Sequence, residues 1–199
     1  MLNHPSSYIN IDNWLHPDEC KQIINYGINF GRFNKPSTGY AAPGPSKINP
    51  KTRNGKLYFF SHEDVNKKIL SKIQEVNKEF WNLDLYNIEP LQLSIYDVDD
   101  HYSWHRDQEF AGKHNPRHRD KDLVRKLSFS INLTEYMRDY EGGDLEINNG
   151  NPAGPAVVGP LRKQGNGTIF LSPTMHRVLP VTRGRRVSLV GWVSGPPYR

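Results

Sequence analysis

The sequence predicts an α+β fold in which helices come first and a run of strands then closes into a sandwich or barrel. Before Pro90, apolar residues recur at spacings of three and four, which is typical of helices. After Pro90, short β-type runs alternate with turn signals. The 199 residues fit one domain, so we expect a single domain over 1–199. Its helical support would span about 1–90 and its β core about 91–199.

The N-terminal segment predicts a short strand followed by a helix. Ile9–Trp14 is a short apolar run of the strand type. His16-Pro17-Asp18-Glu19 then offers a proline and acidic residues, which favour the first turn of a helix. We expect that helix to run from Asp18 to Phe30, with one face formed by Cys20, Ile23, Ile24 and Ile28.

A second helix is predicted more clearly. Ser61 resembles an N-cap, because acidic residues follow it in the first turn. Apolar residues then recur at spacings of three and four up to a predicted end near Trp81, namely Val65, Ile69, Ile73, Val76 and Phe80. Between the two helices, Asn34–Pro50 is rich in Pro, Gly, Ser and Asn and predicts a long loop. A lid and a disordered segment are both open interpretations of this loop.

The second half of the chain predicts five strands. Turn signals separate them, and Gly142 and Gly143 are expected to form a turn with positive φ angles. The five runs are Leu91–Val98, Leu127–Leu133, Gly143–Ile147, Thr168–Leu171 and Arg185–Val193.

The charge balance limits the classes of partner. The formal net charge is +5, and basic residues are concentrated in Lys113–Lys126 and Arg177–Arg186. We interpret the first cluster as a solvated loop. A nucleic-acid partner is open but not favoured, because no track of interleaved basic and aromatic residues is visible.

Cysteine content and hydropathy limit the kinds of site and the cellular compartment that we expect. Cys20 is the single cysteine, which excludes an intramolecular disulfide and a cysteine-based zinc site. No apolar run approaches the roughly 20 residues that a membrane-spanning helix needs. No signal peptide is recognisable at the N-terminus. We therefore expect a cytoplasmic protein without membrane contact.

Three residues are candidate metal ligands. In a strand, side chains two positions apart share a face, so His105 and Asp107 can bind one cation together. His176 would complete a set of two imidazoles and one carboxylate, which is typical of non-haem iron(II) sites with open coordination positions. A His-x-Asp sequence alone is common by chance, and a lone histidine is more often a surface or core residue. His101, His114 and His118 are interpreted as non-ligands.

Arg186 is a candidate carboxylate-binding residue. Its guanidinium presents a rigid two-donor fork, and Ser188 shares its face of the predicted strand and adds a hydroxyl donor. Trp192 lies on the same face further along. The neighbouring Arg183 and Arg185 are expected to face solvent.

Four motifs in this order resemble the prolyl 4-hydroxylase-like group of 2-oxoglutarate oxygenases, above all the bacterial PKHD-type hydroxylases and their phage relatives. The similarity runs from about Leu91 to Trp192, roughly half of the chain. The motifs are Leu93–Tyr96 with Tyr102–Asp107, Arg125–Ser128 with Asn132–Thr134, Tyr140–Leu145, and Gly167–Pro173 with His176–Val178, Pro180–Gly184 and Arg186.

The resemblance implies a fold, cofactors and residue roles. The β core would be a double-stranded β-helix, a jelly-roll or cupin-like arrangement, flanked by the N-terminal helices. Iron(II) would be bound by His105, Asp107 and His176, and 2-oxoglutarate and O2 would be co-substrates, with ascorbate as a reductant. Arg186 would bind the distal carboxylate of 2-oxoglutarate, and the same pocket would be lined by Tyr96, Ser188 and Trp192.

The resemblance also implies a reaction. A protein or peptide would be hydroxylated, with proline as the expected residue, and succinate and CO2 would be released. Many animal and plant prolyl 4-hydroxylases have lysine where this chain has Arg186, so the anchor does not identify the substrate. The alternatives are an oxygenase acting on a small molecule or nucleic-acid base, and a non-catalytic cupin-like binding module.

Overall fold

The computed structural model describes residues 6–36, 49–108, 123–148, 156–157 and 162–197. These residues form two helices, α1 (Pro17–Phe30) and α2 (Glu63–Phe80). The strands are β1 (Tyr8–Ile11), β2 (Arg32–Asn34), β3 (Lys56–Phe60), β4 (Asn87–Ile88), β5 (Leu91–Tyr96), β6 (Tyr102–His105), β7 (Val124–Asn132), β8 (Tyr140–Gly142), β9 (Leu145–Ile147), β10 (Ala156–Val157), β11 (Gly167–Leu171), β12 (His176–Val178), β13 (Val181–Gly184) and β14 (Arg186–Gly195).

The strands form three antiparallel sheets. The largest has the order β1-β11-β7-β14-β5-β3-β2, with β4 also paired to β14. A four-stranded sheet has the order β10-β9-β12-β6, and β13 pairs with β8. The long strand β14 lies between β5 and β7, with Arg186 opposite Tyr96 and Trp192 opposite Ser128. This register determines which residues line the inner face of the large sheet.

Two apolar clusters hold these layers together. The larger joins the helices to one face of the large sheet, and it includes Ile69, Ile73 and Phe129, all 0% exposed. The smaller joins the other face of the large sheet to the smaller sheets, through Tyr96 and Phe170 on one side and Ile147 on the other. The large sheet is therefore buried on both faces. The polar residues of the candidate site that are described below lie on the face that packs against the smaller sheets.

Helix α1 ends at Phe30 as predicted and begins at Pro17, one residue before the predicted Asp18. The side chain of His16 accepts a hydrogen bond from the Asp18 amide, and Glu19 bonds back to the His16 amide at 2.8 Å, a capping box. Cys20 and Ile23 are buried as predicted, but Ile28 is 44% exposed, so its assignment to the apolar face is wrong. Gly27 takes the place of a larger residue on that face, because a β-carbon there would lie 3.0 Å from Leu93.

Helix α2 has the predicted length but a different cap. It begins at Glu63, and its N-cap is His62, whose side chain makes no capping hydrogen bond. The prediction of Ser61 as N-cap is therefore wrong. The acidic pair Glu63 and Asp64 still occupies the first turn, where carboxylates interact favourably with the helix dipole.

All five predicted strands of the second half are present, with shifted ends. The first ends at Tyr96 rather than Val98, and Gly143 lies in a turn before β9 instead of within it. The predicted Ile9–Trp14 strand ends at Ile11. Strands β2 and β3 were not predicted, so the N-terminal part contributes strands to the large sheet as well as helices. That residues 1–199 form one domain stays a prediction.

Several predictions fall on residues outside the described ranges. Most of the Asn34–Pro50 loop and of the Lys113–Lys126 cluster lies there, as do His114 and His118. Within the described residues, neither helix combines the length and the apolar character that crossing a bilayer would require.

Candidate active site

Two neighbouring strands of the four-stranded sheet bring the predicted histidine ligands together. His105 is the last residue of β6, and His176 is the first residue of β12. The strands are antiparallel and the two histidines are direct cross-strand partners, so their ring centroids lie 4.0 Å apart. A sequence separation of 71 positions is thus closed by one strand pairing.

Asp107 completes the group from a bend. Its Oδ1 lies 3.8 Å from His105 Nε2, and its Oδ2 lies 3.6 Å from His176 Nε2. One ligand atom from each of the three residues falls within 4.8 Å of the others. Asp107 and His176 are 8% and 5% exposed, so the donors face a shielded space rather than solvent.

Strand alternation does not explain the position of Asp107, although the prediction relied on it. Strand β6 ends at His105, and Asp107 lies two residues beyond that end. Its backbone amide donates to the Ser172 carbonyl at 3.0 Å, and the Gln108 amide donates to the same oxygen at 3.1 Å. These bonds, rather than a strand ladder, hold the carboxylate beside the histidines.

Backbone carbonyls select the tautomer of both histidines. Nδ1 of His105 lies 2.9 Å from the Ser103 carbonyl oxygen, and Nδ1 of His176 lies 2.9 Å from that of Thr174. A carbonyl only accepts hydrogen bonds, so each Nδ1 carries the proton and donates it. Each Nε2 then presents its lone pair toward Asp107, which is the arrangement expected of imidazoles that bind a metal.

The titration of the group also favours metal binding. Burial, together with the nearby His176, holds the pKa of His105 well below its usual value, which keeps the imidazole neutral. Burial alone would raise the pKa of Asp107, but His176, His105 and Arg125 and a hydrogen bond from Ser128 outweigh it and lower that pKa to about 2. A neutral imidazole at His105 and an ionised carboxylate at Asp107 are the forms of these two groups that coordinate a cation.

His101 differs from the other two histidines. Its Nδ1 faces the Asp99 carbonyl at 3.0 Å and its Nε2 faces the Lys51 carbonyl at 3.1 Å. Both ring nitrogens are occupied by backbone oxygens, and these hydrogen bonds raise the pKa of His101. His101 therefore fastens the turn before β3 to the turn before β6, which agrees with its interpretation as a non-ligand.

Arg186 lies on the inner face of the large sheet, as does the predicted Ser188. The arginine is 3% exposed, and its Nη1 lies 3.5 Å from Ser188 Oγ. The Tyr96 ring centroid is 5.8 Å from the guanidinium carbon. Among the described residues, no carboxylate forms an ion pair with Arg186. A buried cation without a carboxylate partner favours an anionic ligand, because an unpaired buried charge is costly.

Tyr140 joins this anchor, although the sequence did not single it out. It is 2% exposed, and its hydroxyl accepts a hydrogen bond from Asn132 Nδ2 at 2.9 Å. Burial raises the pKa of Tyr140 in spite of the charge and hydrogen bond of Arg186, so the phenol stays protonated. A tyrosine inside a β-type run carries no local signal of such a role.

Trp192 lies apart from the anchor. It follows Arg186 by six residues of strand, which corresponds to about 20 Å. Its ring lies under the Arg125 guanidinium, 3.8 Å from the guanidinium carbon to the ring centroid, and Arg125 in turn pairs with Glu89 at 2.6 Å. The cross-strand partner of Trp192 is Ser128, which is among the groups that lower the pKa of Asp107. Trp192 therefore lies closer to the metal-ligand group than to Arg186, the predicted carboxylate anchor.

Aromatic rings surround the histidines. The Tyr102 ring stacks on His105 with centroids 3.5 Å apart. The Arg53 guanidinium carbon lies 4.3 Å from the Tyr102 ring centroid. Phe170 meets His176 edge-on at 4.6 Å. Trp104 is partly buried, and Arg177 lies over its ring at 4.7 Å. Arg183 and Arg185 are exposed as predicted.

The three donors suit iron(II). Imidazole nitrogen and carboxylate oxygen are donors that this ion accepts, and donors from one side leave positions for other ligands. The buried Arg186 offers a partner for a second carboxylate group of an acid bound at the metal. The residues present thus fit both a metal ion and a dicarboxylate.

Comparisons with known proteins identify the family of this chain. A model of the 2OG-Fe(II) oxygenase superfamily matches residues 91–194, just over half of the chain. A PKHD-type hydroxylase of Idiomarina loihiensis is 26% identical over 197 residues, covering 96% of this chain and 81% of the relative.

Solved structures share the fold. The viral collagen prolyl hydroxylase of Paramecium bursaria Chlorella virus-1, in its 2OG complex, matches with a TM-score of 0.67 and 24% identity over 95% of this chain and 96% of that one. A prolyl hydroxylase of Trichoplax adhaerens, bound to a peptide fragment of the hypoxia inducible factor oxygen degradation domain, matches with a TM-score of 0.71 and 17% identity over 94% and 83%. These structures are 2OG oxygenases with a double-stranded β-helix fold. The chain described here belongs to the 2OG-Fe(II) oxygenase superfamily.

Proposed function

We propose that this oxygenase hydroxylates a residue of a protein or peptide, with proline as the preferred target, and converts 2-oxoglutarate to succinate and CO2. The observation that carries the proposal is the buried group of His105, Asp107 and His176, with each Nε2 directed at the carboxylate. Support for a peptide substrate comes from the structural neighbours, one of which is bound to a peptide fragment.

In this proposal, His105, Asp107 and His176 hold iron(II). The Ser103 and Thr174 carbonyls fix the two imidazole rings by accepting the Nδ1 protons, so the rings need no reorientation on binding. With iron(II) bound, 2-oxoglutarate and O2 supply the oxidising power needed to hydroxylate an unactivated C–H bond, and ascorbate serves as a reductant.

Arg186 binds the distal carboxylate of 2-oxoglutarate. Its guanidinium donates a fork of two hydrogen bonds, which matches the two carboxylate oxygens. Ser188 and Tyr140 supply hydroxyl groups beside it, and Tyr96 packs across from it. The burial of this pocket excludes water and strengthens the charge pairing.

In this proposal, Trp192 lies toward the metal group and away from Arg186. The Glu89–Arg125 pair holds the guanidinium over the indole ring, so the ring has one defined orientation. We expect the substrate to approach the metal from this end, because the Arg186 end is taken by the co-substrate.

The test is a turnover assay with the purified chain, iron(II), 2-oxoglutarate and ascorbate. Proline-containing peptides are the substrates, and the readouts are succinate formation and a peptide mass increase of one oxygen atom. Arg186→Met is expected to abolish turnover at low 2-oxoglutarate concentration. Arg185→Met is the matched control, because the adjacent Arg185 is exposed and pairs with Asp97 at 2.6 Å.

The outcomes separate the candidate functions. Succinate formation with a methylated oligonucleotide or a small molecule, and never with peptides, would contradict the peptide substrate. The proposal that the chain is an oxygenase would still stand. An inability to bind iron(II) would leave only a binding module and contradict the proposal as a whole.

A further inference from the structure

Asn132 is a buried amide at the end of β7, on the inner face of the large sheet. It is 1% exposed, and its cross-strand partner on β14 is Ser188. Ser188 is also 1% exposed, and its Oγ lies 3.5 Å from Arg186 Nη1. Asn132 is therefore one strand away from the residues that we assign to the distal carboxylate of 2-oxoglutarate.

The contacts of the Asn132 amide show which of its ends is the nitrogen. Nδ2 lies 2.7 Å from the Thr134 carbonyl oxygen and 2.9 Å from the Arg162 carbonyl oxygen. Carbonyl oxygens only accept hydrogen bonds, so the atom that faces both of them belongs to the NH2 group. Nδ2 also lies 2.9 Å from the Tyr140 hydroxyl, so its two hydrogens serve three oxygens. An NH2 group cannot accept a proton from a hydroxyl, and Tyr140 is therefore the acceptor in this contact.

The proton of the Tyr140 hydroxyl is left for another acceptor. The phenol is 2% exposed, and it packs in the same apolar cluster as Tyr96, the cross-strand partner of Arg186. Within the described part of the chain, no side-chain or backbone atom accepts that proton. A buried donor without an acceptor is costly, so the arrangement favours a ligand that brings an acceptor to this point. The carboxylate that Arg186 attracts is such an acceptor.

We propose that Asn132 is a positioning residue for the co-substrate: its NH2 group occupies the acceptor side of the Tyr140 hydroxyl, so that the hydroxyl proton points at the distal carboxylate of 2-oxoglutarate. The inference rests on the proposed function and deepens it, because it assigns this pair to the recognition of the second carboxylate. Asn132 acts through Tyr140 and does not itself bind the acid. Its Oδ1 is buried and has no hydrogen-bond partner among the described residues, so its contribution comes from the NH2 group alone.

The dependence of Asn132 on Tyr140 sets the expected effects of substitution. Tyr140→Phe removes the donor, and the loss of one such hydrogen bond weakens binding about fivefold. Asn132→Leu leaves the donor in place but frees it to rotate, so it should weaken 2-oxoglutarate binding by no more than Tyr140→Phe. Since Asn132 acts only through Tyr140, the double variant should bind 2-oxoglutarate no more weakly than Tyr140→Phe alone.

The experiment measures the affinity of the manganese(II)-loaded protein for 2-oxoglutarate and for oxalate by calorimetry. Oxalate chelates a metal ion through its two carboxylates and is too short to place one of them at Arg186. The variants are Tyr140→Phe, Asn132→Leu and their combination, and thermal unfolding checks that each one folds. Gln164→Leu is the matched control, because Gln164 is 7% exposed and its Nε2 donates to the Leu133 carbonyl at 2.8 Å rather than to Tyr140.

The supporting result is a loss of up to about fivefold in 2-oxoglutarate affinity in both single variants, with no further loss in the double variant. Oxalate affinity should stay unchanged in all of them, as should the 2-oxoglutarate affinity of Gln164→Leu. An unchanged 2-oxoglutarate affinity in Asn132→Leu overturns the inference, and so does a double variant whose loss is the product of the two single losses. Equal weakening of oxalate and 2-oxoglutarate in Asn132→Leu also overturns it, because that result shows a structural role alone.

Two further measurements keep the inference open to refutation. Asn132→Ala takes the place of Asn132→Leu if the leucine variant does not fold. An unchanged 2-oxoglutarate affinity in Tyr140→Phe alone overturns the inference and leaves the metal site and Arg186 standing. Failure of the wild-type protein to bind manganese(II) or 2-oxoglutarate overturns the proposed function and the inference together.

Discussion

Gly143 leaves the space that the Arg186 side chain occupies, and the substitution Gly143→Ala tests this arrangement. Gly143 lies between β8 and β9 with φ of +63°, a left-handed conformation that favours glycine. A β-carbon there would lie 2.9 Å from Val181 Cγ2 and 3.0 Å from Arg186 Cδ. Val181 is 0% exposed and Arg186 is 3% exposed, so neither has free space to move into.

The expected loss of stability in Gly143→Ala is the sum of a backbone cost and a packing cost. The left-handed conformation costs an alanine about 1 to 2 kcal/mol, and overpacking of a buried site costs roughly 1 to 3 kcal/mol. A total of about 2 to 5 kcal/mol lowers the melting temperature of a chain of this size by roughly 4 to 20 °C. Displacement of Arg186 that weakens its carboxylate binding by about 1 kcal/mol raises the KM for 2-oxoglutarate about fivefold.

The assay combines thermal unfolding with the 2-oxoglutarate dependence of succinate formation. Gly142→Ala is the control, because Gly142 has a similar φ of +71° but its β-carbon would meet the Pro180 oxygen and Thr182 nitrogen at 2.6 and 2.8 Å. It is expected to lower stability at least as much, with a smaller effect on the KM of the folded fraction. An equal rise of KM in both variants, or an unchanged KM in Gly143→Ala, would refute the reasoning.

Three further predictions concern single side chains. Tyr140→Phe removes the hydroxyl that bonds Arg186 and Asn132, so the KM for 2-oxoglutarate should rise about fivefold for a loss of about 1 kcal/mol, and an unchanged KM would count against Tyr140 in the anchor. Ile73→Ala should lower the free energy of unfolding in urea by about 2 to 5 kcal/mol, because Ile73 is 0% exposed. Ile28→Ala, at a 44% exposed position, should change it by less than about 1 kcal/mol. Similar losses in both variants would contradict the assigned core. Burial raises the pKa of the Cys20 thiol to about 12, so an alkylating reagent at neutral pH should label Cys20 only after unfolding, and rapid labelling of the folded protein would contradict its burial.

The elements with a strong repeating pattern were predictable from sequence. Helix α2 follows from the spacing of Ile69, Ile73 and Val76, and the start of α1 follows from the proline and acidic residues of its first turn. Strand β3 was missed because Lys56–Phe60 has no clean polar alternation, since the large sheet is covered on both faces. Ile28 was assigned to the core by spacing alone, and the described residues leave it 44% exposed.

The candidate site was predictable as a set of residue types and less so as a geometry. His105, Asp107, His176 and Arg186 were named from their residue types and spacing and from the motif order, and the structure brings the first three within 4.8 Å. The bend that carries Asp107 depends on Ser172, which is 65 positions away in sequence. Such a long-range hydrogen bond leaves no mark on the local pattern.

The same limit explains why Tyr140 was missed. It lies in a strand-like run where a tyrosine is ordinary, and its contacts with Asn132 and Arg186 arise only when the sheets pack. Trp192 was grouped with Arg186 by strand face and by the family resemblance. The two-residue period of a strand predicts which face of the sheet a residue lies on, and does not predict which other side chains it meets along that face.

The central claim is that His105, Asp107 and His176 bind iron(II) while Arg186 anchors 2-oxoglutarate on the same ion. The most direct measurement is an anaerobic titration of the metal-free protein with iron(II) and then 2-oxoglutarate, followed by visible absorption. We predict a metal-to-ligand charge-transfer band that saturates at one iron and one 2-oxoglutarate per chain, is lost in His105→Ala, and needs a higher 2-oxoglutarate concentration in Arg186→Met. The absence of the band in the wild-type protein, or a band unchanged in His105→Ala, would contradict the claim.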